Sequence, residues 1–541
     1  MMSKTVASAR NDTTRESVMA ARPITSIGAA IFGNQPHAFL TTMVPAYLAR
    51  RSIDFMISPE TTRHQFATRS ARRRSSATTF EAAHLVGICG TGMKALAELL
   101  TDLKWQVTGS DLQKTGPTLD AMRRRGLRIH SGHNDKFLPQ DADVLVYSPA
   151  VNANNPERKR AEALGVTQMS YSQMLGYLMR DQTGVSIAGT HGKSTTTAMT
   201  AWIAETAGLA PSVIVGAELC DLGRSGWAGL GDPFVVESCE YQQSFLDLTP
   251  KHAAILGIEP DHFDCYENLD ATIAAFAAFA SRVAPDGSLL LPLDCDAAKQ
   301  CAERSSAVVE TFSLTDPAAD WWITDARPAG GATRYRVFHQ GLYYSEVVLQ
   351  LPGPHNAHNA VAAIALSHRL GVSPAEVRDA LVEFHGIRRR FECVGSWRGV
   401  TLIDDYAHHP TAVAATLETA RREFGDRRIW CAFQPHQTSR TQALLNEFAH
   451  SFAAADEILI APTFAARETA TTSEDPSAAV LAEQVSETGC SARWCGSLDR
   501  VIATLEDEVR PGDVLITMGA GDIDQVHHEF TRRLQRNHSP E

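Results

Sequence analysis

Val185-Ser186-Ile187-Ala188-Gly189-Thr190-His191-Gly192-Lys193-Ser194-Thr195, with the helix-compatible run Thr196 to Ala207 behind it, is the stretch that decides the fold. The apolar opening, Val185 to Ala188, has the length of a buried strand, and the glycines then force a tight turn before a helix begins. Strand, glycine turn and helix in that order make a phosphate loop. Backbone N–H groups close around phosphate oxygens at a helix N-terminus, where the helix dipole already favours an anion. Lys193 would reach the β- and γ-phosphates, and the Ser194 hydroxyl would hold magnesium. One position departs from the general G-x-x-x-x-G-K-[ST] pattern, because Ile187 stands where the first glycine belongs.

Outward from this loop the same strand–turn–helix rhythm repeats, which predicts parallel sheets. On the N-terminal side, His84 to Ile88, Gln106 to Ser110 and Val144 to Ser148 are short apolar runs ending in Gly, Asp or Pro. The central series continues through Phe234 to Val236 and Ala253 to Ile258 to a helical segment at Leu269 to Ala284. A third series comprises Val400 to Ile403, Ile429 to Phe433, Glu457 to Ile460 and Val514 to Met518. The expected organisation is therefore α/β with three units, 81–182, 183–386 and 387–541. Residues 1–80 differ: one Lys and ten Arg face four acidic residues. That composition reads as an unstructured extension, with an organelle transit peptide or an early start codon as the other readings.

Bulk composition narrows the class. At 541 residues the chain exceeds one core, and 44% hydrophobic with 21% charged residues is ordinary for a globular protein. A net charge of -12 argues against a general nucleic-acid coat, and no run of 18 apolar residues offers a membrane span. Ten cysteines without a C-x-x-C pair read as reduced thiols, and hence as a cytoplasmic protein.

Further motifs sit at predicted strand ends, where α/β folds bind ligands. Gly90-Thr91-Gly92-Met93-Lys94-Ala95 fits G-x-G-x-x-[GA], with Ser110 and Asp111 closing the next strand and Ser148 a later one. This fingerprint serves NAD or any other diphosphate, and a plain tight turn is the bland alternative. Glu237 and His262 end central strands and are candidates for metal or substrate contact. Asn356 and Asn359, at i and i+3, share a helical face; they read as nucleotide contacts, with capping by Asn356 the favoured reading from the residues alone. Arg388-Arg389-Arg390 reads equally as a solvated run or as a charge clamp on a phosphoryl group. Asp404-Asp405-Tyr406-Ala407-His408-His409 and His436-Gln437-Thr438-Ser439-Arg440 place carboxylates, imidazoles and a guanidinium after strands of the third unit.

Taken in order, Gly189–Lys193, Glu259-Pro260-Asp261-His262, His355-Asn356 with Asn359, Arg389-Arg390-Phe391 and Asp404 to Pro410 resemble the Mur ligase family from about His84 to Val526. The resemblance implies an N-terminal Rossmann-like domain for a UDP-sugar, a central P-loop ATPase-type parallel sheet and a C-terminal Rossmann-like domain that closes over the site. It implies that Gly90, Thr91, Gly92, Met93, Ser110, Asp111 and Ser148 hold the UDP-sugar rather than NAD. By the same resemblance, ATP would take Gly189, Thr190, His191, Gly192, Lys193, Ser194, Thr195, Asn356, Asn359, Arg390 and Asp405. Ser194, Glu237 and His262 would hold magnesium, Asp405 and His409 would complete the site, and His409, His436 and Arg440 would lie near the incoming amino acid.

The activity so implied is ATP-dependent joining of L-alanine to the carboxylate of UDP-N-acetylmuramate through an acyl phosphate, in peptidoglycan precursor synthesis. Three residues depart from the family's usual pattern: Cys239 for an aspartate, Gln437 for an arginine and Ser194 for a threonine. Competing expectations are a tripeptide-adding ligase of the same family, which Tyr241 slightly favours, an NAD-dependent oxidoreductase resting on Gly90, Gly92 and Asp111, and a non-catalytic nucleotide sensor.

Overall fold

The computed structural model describes residues 80–397, 399–466 and 476–536. The Arg-rich segment 1–80 lies outside these except for Phe80, whose ring packs 5.1 Å from Tyr177 and 6.3 Å from Trp105.

Each predicted series becomes one sheet. The first holds β1 (Ala82–Val86), β2 (Gln106–Asp111), β3 (Arg128–Ser131), β4 (Val144–Tyr147) and β5 (Thr167–Ser170), in the order β3-β2-β1-β4-β5, all parallel. The central sheet holds ten strands: β6 (Thr183–Ala188), β7 (Ser212–Leu219), β8 (Arg224–Trp227), β9 (Pro233–Glu237), β10 (His252–Ile255), β11 (Ser288–Pro292), β12 (Val308–Ser313), β13 (Trp321–Pro328), β14 (Thr333–His339) and β15 (Leu342–Leu349). Their order is β15-β14-β13-β12-β11-β10-β6-β9-β7-β8. From β13 to β7 neighbouring strands are parallel, as the motif spacing predicts; β8 pairs antiparallel with β7 at one edge, and at the other β14 pairs antiparallel with both β13 and β15. These edge hairpins follow no ligand-binding motif that would mark them in the sequence. The third sheet, β16 (Glu392–Trp397), β17 (Val400–Asp405), β18 (Ile429–Phe433), β19 (Glu457–Ile460), β20 (Ala492–Trp494) and β21 (Val514–Met518), has the order β16-β17-β21-β18-β19-β20, and only β16 is antiparallel.

Order matters for function. In the first sheet β1 lies between β2 and β4, and in the central sheet β6 lies between β10 and β9. Each glycine turn therefore opens where successive strands leave on opposite sides, the crevice in which open α/β sheets take ligands. The helix Lys193–Thr206 carries no amphipathic stripe because it is buried nearly all round, from Ser194 to Ala201 and at Ile203 and Ala204. Its neighbour Pro354–Arg369 is rich in alanine, and small side chains at Ala357, Ala360 and Ala363 let the two backbones approach.

The first two sheets are fastened to each other by polar contacts around β8. Glu98 Oε2 accepts the N–H groups of Ser225 (3.2 Å) and Gly226 (3.1 Å), and Asp102 accepts Arg224 (2.6 Å). These carboxylates stand on helix Thr91–Asp102 and cover an edge strand that would otherwise expose unpaired donors.

Candidate active site

Lys193 begins its helix, preceded by Gly192 in left-handed backbone at φ 80°. A Cβ on Gly192 would lie 2.2 Å from Asn359 Oδ1, so a glycine is required where helix Pro354–Arg369 meets the loop. The Lys193 ammonium donates to the carbonyls of Gly189 (2.5 Å) and Thr190 (3.2 Å) and to Glu240 Oε1 (3.0 Å). Burial works against its charge, yet Glu240 and the neighbouring acidic groups outweigh burial and raise its pKa. The Glu240 carboxyl is pushed up by burial and pulled further down by Lys193 and His262, so it stays ionised.

Glu240 was missed in the sequence. It falls three residues beyond Glu237, in a turn that follows β9, where period and strand-end arguments give no signal. Its Oε1 lies 3.5 Å from His262 Nε2, while Oε2 and His262 Nδ1 are buried without a hydrogen-bond partner. Glu237, which sequence favoured, is turned toward β7 and accepts the Gly216 N–H at 2.6 Å. Ser194 and Thr195 are buried at the head of the same helix. His262 itself has φ 54°, a left-handed conformation uncommon for a residue with a Cβ.

The C-terminal domain reaches this edge through two strand-end loops. Arg440, 2% exposed, gives Nε (2.8 Å) and a terminal nitrogen (2.7 Å) to Asp261 Oδ1 and its other nitrogen to His436 Nδ1 (3.0 Å). Burial raises the Asp261 carboxyl, but His262 and Arg440 hold it far below the usual range. His409, at the start of helix Pro410–Phe424, has its ring centre 4.8 Å from that of His191, tilted by 54°, and lies 3.2 Å from the Pro260 carbonyl. His191 in turn lies 3.4 Å from Glu259, and Thr190 takes the Glu259 N–H at 2.9 Å. Gln437 is 2% exposed at φ 69°, and its side-chain nitrogen has no partner.

Several expected residues have structural employment. Asp405 accepts the N–H groups of Phe391 (2.7 Å) and Ala407 (2.7 Å), pinning the chain where it enters the C-terminal domain; burial pushes its carboxyl above the usual range. Arg389 fastens Asp404 (3.1 Å) and the carbonyls of Gly519 (2.9 Å) and Gly521 (3.0 Å), so the terminal glycine turn is a packing element. Arg390 instead lies over the Tyr406 ring, 5.0 Å from its centre. Asn356 does not cap its helix: Gly353 holds the cap position, and Asn356 donates back to the Pro352 carbonyl (2.7 Å) and accepts from Asn359 (3.4 Å).

On the first sheet, Gly90 caps helix Thr91–Asp102, whose second and third residues are Gly92 and Met93. A Cβ on Gly92 would meet the Tyr171 ring at 2.8 Å. Asp111 accepts the Cys89 N–H (2.8 Å) and Gln113 N–H (2.9 Å), tying the glycine turn to β2. The Ser110 hydroxyl donates to buried Glu157 (2.7 Å), which also meets His84 (2.6 Å) and His133 (3.0 Å). Ser148 follows β4 and packs beside Gly87. A cavity of about 460 Å³ lined by Trp105, Gln106, Arg125 and Arg128 opens at the opposite, amino ends of these strands, away from both glycine turns.

A parallel-sheet phosphate loop whose lysine pairs with a carboxylate that also faces a histidine, under a third α/β sheet docked by ion pairs, is the frame of a nucleotide-dependent ligase. Three family models match it in succession: "Mur ligase family, catalytic domain" at 82–183, "Mur ligase middle domain" at 187–367 and "Mur ligase, glutamate ligase domain" at 389–521. The chain belongs to the Mur ligase family. It is 39% identical to the UDP-N-acetylmuramate--L-alanine ligase of Desulfitobacterium hafniense over 82% of its own length and 98% of that protein. It is likewise 39% identical to the enzyme of that name from Salinibacter ruber, over 84% and 95%. Among solved structures it resembles the UDP-N-acetylmuramate-alanine ligase of Thermotoga maritima at TM-score 0.70 and 26% identity, over 84% of this chain and 99% of that one.

Proposed function

We propose that this protein uses ATP to join L-alanine to the carboxylate of UDP-N-acetylmuramate, supplying a peptidoglycan precursor in the cytoplasm. The observation that carries the reading is the buried Lys193–Glu240–His262 group at the carboxyl edge of the central sheet. A carboxylate is a poor acyl donor at neutral pH. Transfer of the γ-phosphoryl group makes it an acyl phosphate: the carboxylate oxygen bonds to phosphorus, the bond to the β-phosphate oxygen breaks, and ADP leaves. Lys193, swinging from its loop carbonyls to the phosphates, and Arg390 offset the charge spread over the transferring group. The amine then attacks the acyl carbon, and collapse of the tetrahedral intermediate expels phosphate while the same cations stabilise its oxyanion.

Magnesium fits this donor set. Glu240 Oε2 is a buried carboxylate oxygen with no donor, and His262 Nδ1 and the Ser194 hydroxyl stand on the same edge, with Glu237 beyond them. Bound there, the ion would neutralise phosphate charge. Residues 81–182 take the UDP-sugar, with Gly90, Thr91, Gly92 and Met93 at the diphosphate and Ser110, Asp111 and Ser148 around it. Residues 183–386 take ATP, with Asn356 and Asn359 at the nucleotide. Residues 387–541 close over the site and bring His409, His436 and Arg440 toward the amino acid. Closure keeps water from an intermediate that hydrolyses readily.

Phosphate release by the purified chain tests the reading. Release from ATP should require UDP-N-acetylmuramate and L-alanine together. Release indifferent to either, or dependent on a tripeptide instead of L-alanine, removes it.

A further inference from the structure

His191, Glu259 and His409 come from the phosphate loop, the segment after β10 and the first loop of the C-terminal domain, and one ligand atom of each lies within 4.8 Å of the others. His409 Nε2 stands 3.2 Å from the Pro260 carbonyl oxygen, an acceptor that only a ring N–H satisfies. The proton therefore sits on Nε2, and Nδ1 carries a lone pair. That Nδ1 is buried, has no hydrogen-bond partner, and faces Glu259 Oε2 at 3.8 Å. The same Oε2 accepts the Thr411 hydroxyl at 2.7 Å and lies 3.4 Å from His191 Nε2.

A buried imidazole nitrogen without a partner thus faces a carboxylate oxygen at a separation too long for a hydrogen bond. A cation between them would take a ligand from each. A second partner that orients a histidine by taking its far N–H is how proteins prepare imidazole for a metal. In a tetrahedral site with metal–ligand bonds of about 2.0–2.1 Å, donors lie roughly 3.3 Å apart. The 3.4 Å and 3.8 Å separations approach that spacing, and His191, with its side chain 33% exposed, is free to turn for the third.

We propose that His191, Glu259 and His409 form a binding site for a divalent transition-metal ion such as Zn²⁺ or Co²⁺, separate from the nucleotide's magnesium and bridging the central and C-terminal domains. Two imidazoles with one carboxylate select transition metals over magnesium, which prefers oxygen and its own water. Because the ligands come from both domains, occupancy holds the docked arrangement and slows the opening that substrate entry and product release require.

Cobalt reports the site without any substrate. Co²⁺ titrated into the untagged full-length chain, with no nucleotide present, should give a visible d–d band that saturates at one equivalent and is displaced by Zn²⁺. Glu259→Gln should weaken Co²⁺ binding at least about tenfold. His191→Ala, on a partly exposed side chain, should do the same even where the first variant folds poorly. Glu240→Gln should keep the band, which separates this site from the magnesium site and from the ligase reading. No saturable band in the parent protein, as expected if a water molecule fills the gap, or a band untouched in both Glu259→Gln and His191→Ala, overturns the proposal.

Discussion

Lys193 Nζ and Glu240 Oε1 lie 3.0 Å apart at side-chain exposures of 14% and 3%, so the phosphate loop presents a buried ion pair to the cleft rather than a lone cation. The pair explains how a lysine is kept charged where burial alone would strip its proton. It also gives the lysine two stations, one on the carboxylate and loop carbonyls, the other on a bound phosphate.

Glu240→Gln keeps the shape and removes the charge. Turnover should fall on the order of 10²–10³-fold, the usual effect of losing a preorganised charge at a reacting centre. Lys193→Ala should abolish turnover and also leave Glu240 buried without its cation, lowering stability by about 3 kcal/mol. Steady-state kinetics and denaturant unfolding separate the two effects; a Lys193→Ala enzyme that still turns over removes the loop from the mechanism.

Gly192→Ala tests the contact between loop and neighbouring helix. The new methyl would sit 2.2 Å from Asn359 Oδ1, and the residue keeps φ near 80°. The left-handed conformation costs an alanine about 1–2 kcal/mol, roughly five- to thirtyfold in a binding constant, and the clash adds to it. The KM for ATP should rise at least about tenfold, with smaller change for the amino acid. Equal change in both would place the strain elsewhere.

The parallel frame was legible because buried strands and glycine turns leave local marks: Val185 to Ala188 and Gly189 to Lys193 sit as read, at the end of β6. The edge hairpin β14–β15 was not, since Thr333 to His339 alternates like any half-exposed strand and follows no motif. Site chemistry shows the same split. Lys193 and His262 stand in motifs that sequence neighbours mark, whereas Glu240, Glu259 and Asp261 meet partners 47, 68 and 179 residues away. Asp405 shows the converse. A carboxylate next to histidines reads as chemistry, but its two oxygens hold backbone N–H groups of the interdomain link.

Phe245→Ala probes how the turn carrying Glu240 is anchored. Phe245 stacks on Phe279 at 4.8 Å and meets Phe276 edge-on at 5.2 Å, all three buried, five residues beyond Glu240. Truncation should cost about 3–5 kcal/mol by thermal or denaturant unfolding. At temperatures where the variant stays folded, kcat should fall more than the KM for ATP, because Glu240 loses its fixed place. Unchanged kcat in the folded variant would show that the turn holds its position without the aromatic cluster.

Acid stability should follow a buried histidine remote from the cleft. His527, 4% exposed, takes positions against Thr517 Oγ1 (2.6 Å) and the Ile403 carbonyl (2.8 Å), and burial lowers its pKa to about 4. Unfolded, the same imidazole titrates near its ordinary value of about 6.5. Between these values the unfolded chain binds the extra proton, so stability rises with pH: the contribution is whole above about 6.5 and is lost as pH falls toward about 4. The difference amounts to about 3 kcal/mol for a fully buried ring. Unfolding free energies measured from pH 7.5 to 4.5 should decline across that window, and His527→Gln, which has no proton to gain, should flatten the decline by roughly that amount. Parallel curves for the two proteins would mean that His527 is charged in the folded state.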